Sequence, residues 1–266
     1  MLCIFDCESV PDVDLLRELY DYQGSDIEIC NIAFGDFKNK TSSSFLPLPF
    51  HKIISISALI CDDFGNFVKI GNIADSIENR QEVDMIDNFL KYINKNNPKL
   101  ISFNGKGFDI PLILLRAMKY NLDASAYFDI SNVNLNKNKW ENYRQRYSES
   151  FHVDLLDSIS SFGMVRGIRL DVACKMLGLP GKFDVSGEDV FELYYLDNDL
   201  KKIDEYCQSD VLNTYWLYLK YCILQGKITK NEYALILDVF INKIPKDKAY
   251  YFVFKNALEL ELEHLK

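Results

Sequence analysis

The chain opens on a short apolar run, Leu2-Cys3-Ile4-Phe5-Asp6-Cys7-Glu8, that is β-prone yet carries two carboxylates two residues apart. Alternate side chains of an extended strand share a face, so Asp6 and Glu8 point the same way from an otherwise apolar element. Two like charges drawn out of water together repel each other and lose hydration, and such a pair needs a cation. The pattern alone also fits a strand that frays into solvent at Cys7 and ends in two ordinary surface acids. Choosing between the two requires the rest of the chain.

Downstream, residues 52–63 and 66–73 are apolar β-prone runs around Asp63-Phe64-Gly65-Asn66, a hairpin signal. Val83, Ile86, Phe89, Leu90 and Ile93 recur at helical spacing and predict a helix over 79–94. A strand follows at 99–104, then a turn punctuated by Gly105 and Gly107, then a helix with Pro111 in its first turn. A short strand is expected near His152-Val153-Asp154-Leu155, and helices at 155–162, 170–177, 187–196, 199–223, 229–241 and 246–264. Strands interleaved with helices, then helices alone, make a mixed α/β plan without internal repeats. A length of 266 residues suits one large domain or two small ones. We expect a single domain over 1–266, with its core at about 1–10 and 50–224. Residues 11–49, with Thr41-Ser42-Ser43-Ser44, Pro47 and Pro49, are expected as a loop-rich insertion, and 225–266 as a helical extension on the same core.

A composition of 48% hydrophobic and 26% charged residues excludes disorder and low-complexity structure. The seven cysteines are scattered through apolar segments without a C-x-x-C pair, the expectation being buried free thiols in a reducing cytoplasm. No basic-then-apolar leader opens the sequence, and the most apolar stretch, 217–224, is interrupted by Lys220, so neither export nor a membrane span is expected. Three histidines argue against a His-rich metal site.

Two further segments carry acids in suggestive settings. Asn104-Gly105-Lys106-Gly107-Phe108-Asp109 runs from a strand into a helix; an Asp there is most often a helix cap, while the glycines permit close approach of a ligand and Asn104 offers an amide to a sugar or base. Tyr206 and Asp210, four apart on a long helix, share a face, which by itself is commonplace.

Taken together, Asp-x-Glu on a first strand, Asn-x-x-x-Phe-Asp after a later strand and Tyr-x-x-x-Asp on a late helix resemble the three exonuclease motifs of the DEDD superfamily. Their order matches its tyrosine-containing (DEDDy) branch; the sister branch would place His where Glu205 stands. His152-x-Asp154-Leu155-Leu156-Asp157, Leu170-Asp171, Gly178-Leu179-Pro180-Gly181-Lys182 and Tyr206 through Tyr215 resemble bacterial predicted 3′–5′ exonucleases related to the proofreading domain of family-B DNA polymerases. The similarity spans roughly 50–225 together with the Asp6–Glu8 strand and leaves out 11–49. It implies a ribonuclease-H-like fold, a mixed central sheet flanked by helices, and two divalent ions, Mg²⁺ or Mn²⁺, which oxygen-only ligation suits. By analogy Asp6 would bridge both ions, Glu8 and Asp210 would complete one site, Asp109 would support the other, and Tyr206 would orient the attacking water.

The expected partner is a single-stranded nucleic-acid 3′ end, DNA before RNA. A formal charge of −9 runs against that at first sight, because phosphate binders usually carry a positive footprint. Local charge differs: 134–147 holds Lys137, Lys139, Arg144 and Arg146 with Trp140, Tyr143 and Tyr147 interleaved. Cations for phosphates and rings for unstacked bases suit a single-strand groove, and a polar loop with inward-turned rings explains the segment equally well. Arg166, Arg169, Lys175 and Lys182 form a weaker positive stretch that helix-surface cations would also explain. His152 reads as a substrate contact or as a hydrogen-bonded structural residue. Three rivals remain. The first is an exoribonuclease with the same site, and the second a non-catalytic nucleic-acid-binding module. The third is a phosphotransferase with Asp6 as nucleophile, which leaves Asn-x-x-x-Phe-Asp unexplained.

Overall fold

Along β1 (Leu2–Pro11) the side chains alternate between two separate apolar clusters. Leu2 and Ile4 enter one, Cys3, Phe5 and Cys7 the other, so the strand is buried on both faces and lies at the centre of its sheet. The computed structural model describes residues 1–74, 77, 80–182, 187 and 189–265. Five strands follow the order β3-β2-β1-β4-β5, where β2 is His51–Cys61, β3 Phe67–Asn72, β4 Lys99–Ser102 and β5 His152–Asp154. β2 runs antiparallel to β1 and β3, while β4 and β5 continue the sheet in parallel. This is the mixed α/β, ribonuclease-H-like arrangement expected. The predicted hairpin forms: Asp62 Oδ1 accepts from the N–H groups of Phe64 and Asn66, both at 2.9 Å, and Gly65 supplies φ +86°.

Residues 11–49 correct the expectation of a loop-rich insertion. They fold into α1 (Val13–Tyr20) and α2 (Asp26–Thr41). Asp12 caps α1 by accepting from Leu15 N, and Ser25 and Glu28 form a capping box on α2. Ile29, Cys30, Ala33 and Phe37 make a buried stripe against Val13, Leu16 and Leu46. Asn31, Gly35 and Asn39, poor helix formers between those positions, mask the pattern in the sequence.

The Cys3–Phe5–Cys7 face is covered by α3 (Glu82–Asn96) and α4 (Asp109–Lys119) through Met85, Ile86, Phe89, Ile110 and Ile113. Short helices α5 (Ser125–Phe128), α6 (Leu155–Ile159), α7 (Leu170–Met176) and α8 (Val190–Tyr195) follow. The opposite face carries α9 (Leu200–Leu224), buried at every position from Ile203 to Leu219. It lies between the sheet and α10 (Lys230–Lys243) and α11 (Tyr251–His264), as a helical extension on the same core requires. Phe240 of α10 joins them, stacking on Phe67 at 5.5 Å and meeting Tyr215, Trp216 and Phe254. The last helix begins at Tyr251, later than the expected residue 246.

A buried ion network ties the insertion to the sheet. Arg116 of α4 donates to Asp12 Oδ2 at 2.6 Å and to Glu82 Oε2, while Glu82 Oε1 accepts from Ile53 N of β2 at 2.7 Å. Arg116→Ala would leave buried Glu82 without its cation and buried Asp12 with only the more exposed Lys119 at 3.6 Å. The expected loss is ~3–5 kcal/mol, read as a lower urea midpoint at unchanged slope; an unchanged midpoint would show that the network does not brace the fold.

Candidate active site

β4 pairs with β1 only as far as Ile4, opposite Ile101. Beyond that point the Cys7 N–H donates to Asp109 Oδ1 at 3.0 Å, and the Cys7 thiol donates to the same oxygen at 3.0 Å. Asp109 is the first residue of α4, with Phe108 in the cap position. Its carboxylate therefore leaves its own helix uncapped and reaches across to the strand that carries Asp6 and Glu8. The turn before it is held by Asp154 at the end of β5, whose two oxygens accept from Asn104 N and Lys106 N, both at 2.8 Å. Asn104 adopts φ +67°. A side chain at Gly105 would strike Ser102, and one at Gly107 would strike the Asn104 amide. The glycines thus serve the packing of the turn itself, not the approach of a ligand.

From the other side α9 brings Tyr206 and Asp210, both buried. Asp6 and Glu8 lie on the sheet face that α9 covers, as the period of two predicts, and a register shift between Glu8 and Ser9 ends that regular stretch. The Cys207 thiol lies 3.5 Å from the Asp6 carbonyl oxygen, and ligand atoms of Asp6, Glu8 and Cys207 fall within 4.8 Å of one another. Asp210 Oδ1 is buried without a hydrogen-bond partner.

Burial and mutual repulsion dominate the electrostatics. Burial, then the charges of Asp109, Glu8 and Asp210, push Asp6 well above the usual carboxylate range. Glu8 is raised in the same way by burial and by Asp210 and Asp109. Asp109 is raised to about 6 by burial, against the two hydrogen bonds from Cys7. Asp210 is raised to about 6 by burial, against Lys182 and the Tyr206 hydroxyl, which hydrogen-bonds to it. Burial, then Glu8 and Asp210, push the Tyr206 phenol far up, so it stays protonated. Four oxygen-donor side chains that repel one another, one with an orphaned buried oxygen, fit hard divalent cations.

Three contributors escaped the sequence reading of the site. Lys182 counters the charge of Glu8 and Asp210, and its Nζ lies 5.5 Å from the centre of the Tyr206 ring. Asn213, one turn beyond Asp210, fixes that lysine's loop: Oδ1 accepts from Gly181 N at 2.9 Å and Nδ2 donates to Gly181 O at 3.2 Å. Asp154 is the third, through the turn described above. Their sequence signals were the Gly178-Leu179-Pro180-Gly181 turn and the Asn213 that follows Asp210, neither of which names a role by itself.

Of the candidate substrate contacts, Asn104 is exposed and Phe108 half-buried beside Asp109. Lys139, Trp140, Arg144 and Tyr147 are exposed, with Lys139 Nζ 4.9 Å from the Trp140 ring and Arg144 against Phe128. Arg146 is exposed but held by Asp157 through bonds of 2.9 and 2.7 Å. Lys137 corrects its expectation: only 3% exposed, it donates to Asn97 Oδ1 at 2.7 Å and Ala126 O at 2.6 Å beneath the Tyr143 ring. Charge composition shows that a lysine is present but not which way it turns. The segment is tethered to the Asp109 turn by Lys106 Nζ, which donates to Gln145 O and Arg146 O. His152 is structural, buried against Ser102 Oγ at 2.8 Å and kept neutral by burial. All seven cysteines are free and buried. Among the described residues no helix is long and apolar enough to cross a membrane.

The raised carboxyls set a pH dependence. A carboxyl whose folded pKa exceeds its unfolded value near 4 favours folding at low pH, and that contribution is lost as pH rises through about 6. Added Mn²⁺ should therefore raise the melting temperature more at pH 7.5 than at pH 5, where protons compete for the same oxygens. His51 and His152, whose pKa values are lowered by burial, act oppositely on the metal-free protein and cancel in the difference with and without metal. A metal shift independent of pH, or absent in calorimetry, would contradict the cluster as a cation site.

Comparison with known proteins adds an independent line. Residues 43–258 match the model of a family described as predicted 3′–5′ exonucleases related to the exonuclease domain of PolB. No curated protein matches. Among solved structures the chain is similar to the family B DNA polymerase of the hyperthermophilic archaeon Pyrobaculum calidifontis, at 15% identity and a TM-score of 0.49, over 97% of this chain and 26% of that one. It thus spans about a quarter of that polymerase's length. With most of its length matched by the family model, the chain belongs to the family of predicted 3′–5′ exonucleases related to the PolB exonuclease domain.

Proposed function

We propose that the protein is a DEDDy-type, metal-dependent 3′–5′ exonuclease that releases nucleoside 5′-monophosphates from single-stranded ends, DNA in the first instance. One observation carries the reading: Asp6, Glu8, Asp109 and Asp210 converge with Tyr206 in one buried cluster, where the charges of Asp109 and Asp210 raise both Asp6 and Glu8. Asp6, Glu8, Asp109 and Asp210 would hold two divalent ions, Mg²⁺ or Mn²⁺, which when bound polarise the scissile phosphate and the attacking water.

The chain's own groups do the remaining work. In the reaction water adds to the terminal phosphorus, the bond to the preceding 3′ oxygen breaks, and that oxygen takes up a proton. Tyr206, protonated throughout the physiological range, orients the water through its hydroxyl and does not act as a general base. Lys182 offsets part of the negative charge around Glu8 and Asp210. Asn104 and Phe108, in the turn that leads to Asp109, would meet the terminal nucleotide, and exposed Lys139, Trp140 and Arg144 would offer cations and one ring to the strand behind it, Arg146 being paired with Asp157.

The decisive assay follows end-labelled single- and double-stranded DNA and matched RNA on gels, with and without Mn²⁺. Asp6→Ala should reduce 3′ trimming to background, and Tyr206→Phe should slow it about 10²-fold with little change in KM. Undiminished trimming by clean Asp6→Ala protein would sink the assignment. Preferential loss of the RNA strand would move the substrate to RNA with the same chemistry.

A further inference from the structure

Six of the seven cysteines pack into hydrophobic clusters: Cys61, Cys174 and Cys222 into one, Cys3 and Cys7 into a second, Cys30 into a third. That is the ordinary place of a buried thiol, which behaves as a small apolar side chain. Cys207 differs. It is fully buried, yet among the described residues it belongs to none of the hydrophobic clusters. Its neighbours are polar. The thiol donates to the Asp6 carbonyl oxygen at 3.5 Å, and the hydroxyl of Ser57, directly opposite Asp6 in the β1–β2 register, donates to its sulfur. Asn72 Nδ2 holds that hydroxyl in turn at 3.0 Å. The sulfur is thereby fixed on the face of β1 to which Asp6 and Glu8 point, and ligand atoms of all three lie within 4.8 Å of one another.

Hard ions such as Mg²⁺ and Mn²⁺ take oxygen donors and leave a thiol unused, whereas Zn²⁺ and Cd²⁺ take sulfur readily. Nothing in the chemistry of the hard ions calls for a sulfur atom among the carboxylates. A second feature points to a cation on the same side. Asp210, 7% exposed, keeps Oδ1 without a hydrogen-bond partner, and of the acids its charge weighs most on Glu8. We propose that Asp6, Glu8 and Cys207 form a binding site for a thiophilic divalent ion, Zn²⁺ or Cd²⁺, with Asp210 as the further donor, and that filling it shuts the enzyme off. The thiol gives its proton to solvent as the metal–sulfur bond forms, so Zn²⁺ or Cd²⁺ gains a donor that Mn²⁺ forgoes. Two carboxylates, a thiolate and Asp210 supply the four ligands that zinc ordinarily takes in a closed site, leaving no position for an attacking water. The inhibition rests on the exonuclease reading above; the ion binding does not.

The test titrates the full chain with Cd²⁺ alone and follows the ultraviolet charge-transfer band of a cadmium–thiolate bond, which a site of oxygen donors does not give. Wild type should develop the band and saturate at a single ion per chain. Cys207→Ser and Cys207→Ala should lack it, and Glu8→Gln, which keeps the thiol, should need at least about tenfold more Cd²⁺ to reach it. Circular dichroism checks the fold of each variant, and Ser keeps a donor for the Asp6 carbonyl. In the trimming assay with Mn²⁺, added Zn²⁺ should stop wild type. Half-inhibition of Cys207→Ser, scaled to its own rate without Zn²⁺, should take at least about tenfold more of the ion. No band in wild type, or a band undiminished in the folded Cys207 variants or in Glu8→Gln, would overturn the proposal, as would equal Zn²⁺ sensitivity of wild type and Cys207→Ser. A Cys207-dependent band from a protein that trims nothing in Mn²⁺ would leave the thiol site standing and remove the exonuclease reading instead.

Discussion

The structure is organised around an unfavourable contact. Four carboxylates share a buried volume at the end of the central strand, and the charges of Asp109 and Asp210 raise the proton affinity of Asp6 and Glu8. Folding alone does not reward such a cluster, because burying like charges without a counter-charge opposes stability. Around it, three side chains offset part of that repulsion. Cys7 gives both its N–H and its thiol to Asp109, the Tyr206 hydroxyl goes to Asp210, and Lys182 is brought over the Tyr206 ring. These contacts lessen the repulsion without removing it, and Asp210 Oδ1 keeps an open valence. What remains to be neutralised is what divalent cations supply.

The fold makes this contact possible through strand lengths. β4 stops at Ser102 while β1 runs on to Pro11, so the last residues of β1 lack a neighbour on that side. The N-terminus of α4 fills the gap, and Asp109 takes the place of a strand carbonyl as acceptor for Cys7. On the other face α9 is buried along seventeen consecutive positions, which fixes its rotation and so the aim of Tyr206 and Asp210. The same helix carries Asn213, whose amide holds the Gly181 loop and with it Lys182. Three elements distant in sequence are thus locked to within hydrogen-bond tolerances of one another.

The formal charge of −9 is less of an obstacle to a nucleic-acid partner than its size implies, since part of it is concentrated in the site itself. The positive segment 134–147 contributes less than its composition suggests. Lys137 is spent inside, Arg146 is paired with Asp157, and Tyr143 is core, its hydroxyl on Pro98 O at 2.6 Å. Exposed Lys139, Trp140 and Arg144 are what remain for a strand to meet. On the reading proposed above, so small a cationic surface would give weak, salt-sensitive engagement of ends.

The acids themselves were legible in the sequence because their motifs are short, and period two and period 3.6 place Asp6 with Glu8 and Tyr206 with Asp210 by local geometry alone. The sheet-forming runs, the hairpin and the long helix were legible for the same reason. The helices at 13–20 and 26–41 were not, because Gly35 and the asparagines blur a stripe that only the tertiary core makes worthwhile. Nor could any local pattern reveal that Asp109 would abandon its own helix for Cys7, that Lys137 would turn inward, or that the Cys207 thiol would lie against the Asp6 carbonyl. Sequence by itself determined which acids share a face locally and the order in which they come, since backbone periodicity is a property of neighbours. Only the tertiary structure decided which of them meet and which side chains face solvent, because those depend on packing between segments far apart in the chain.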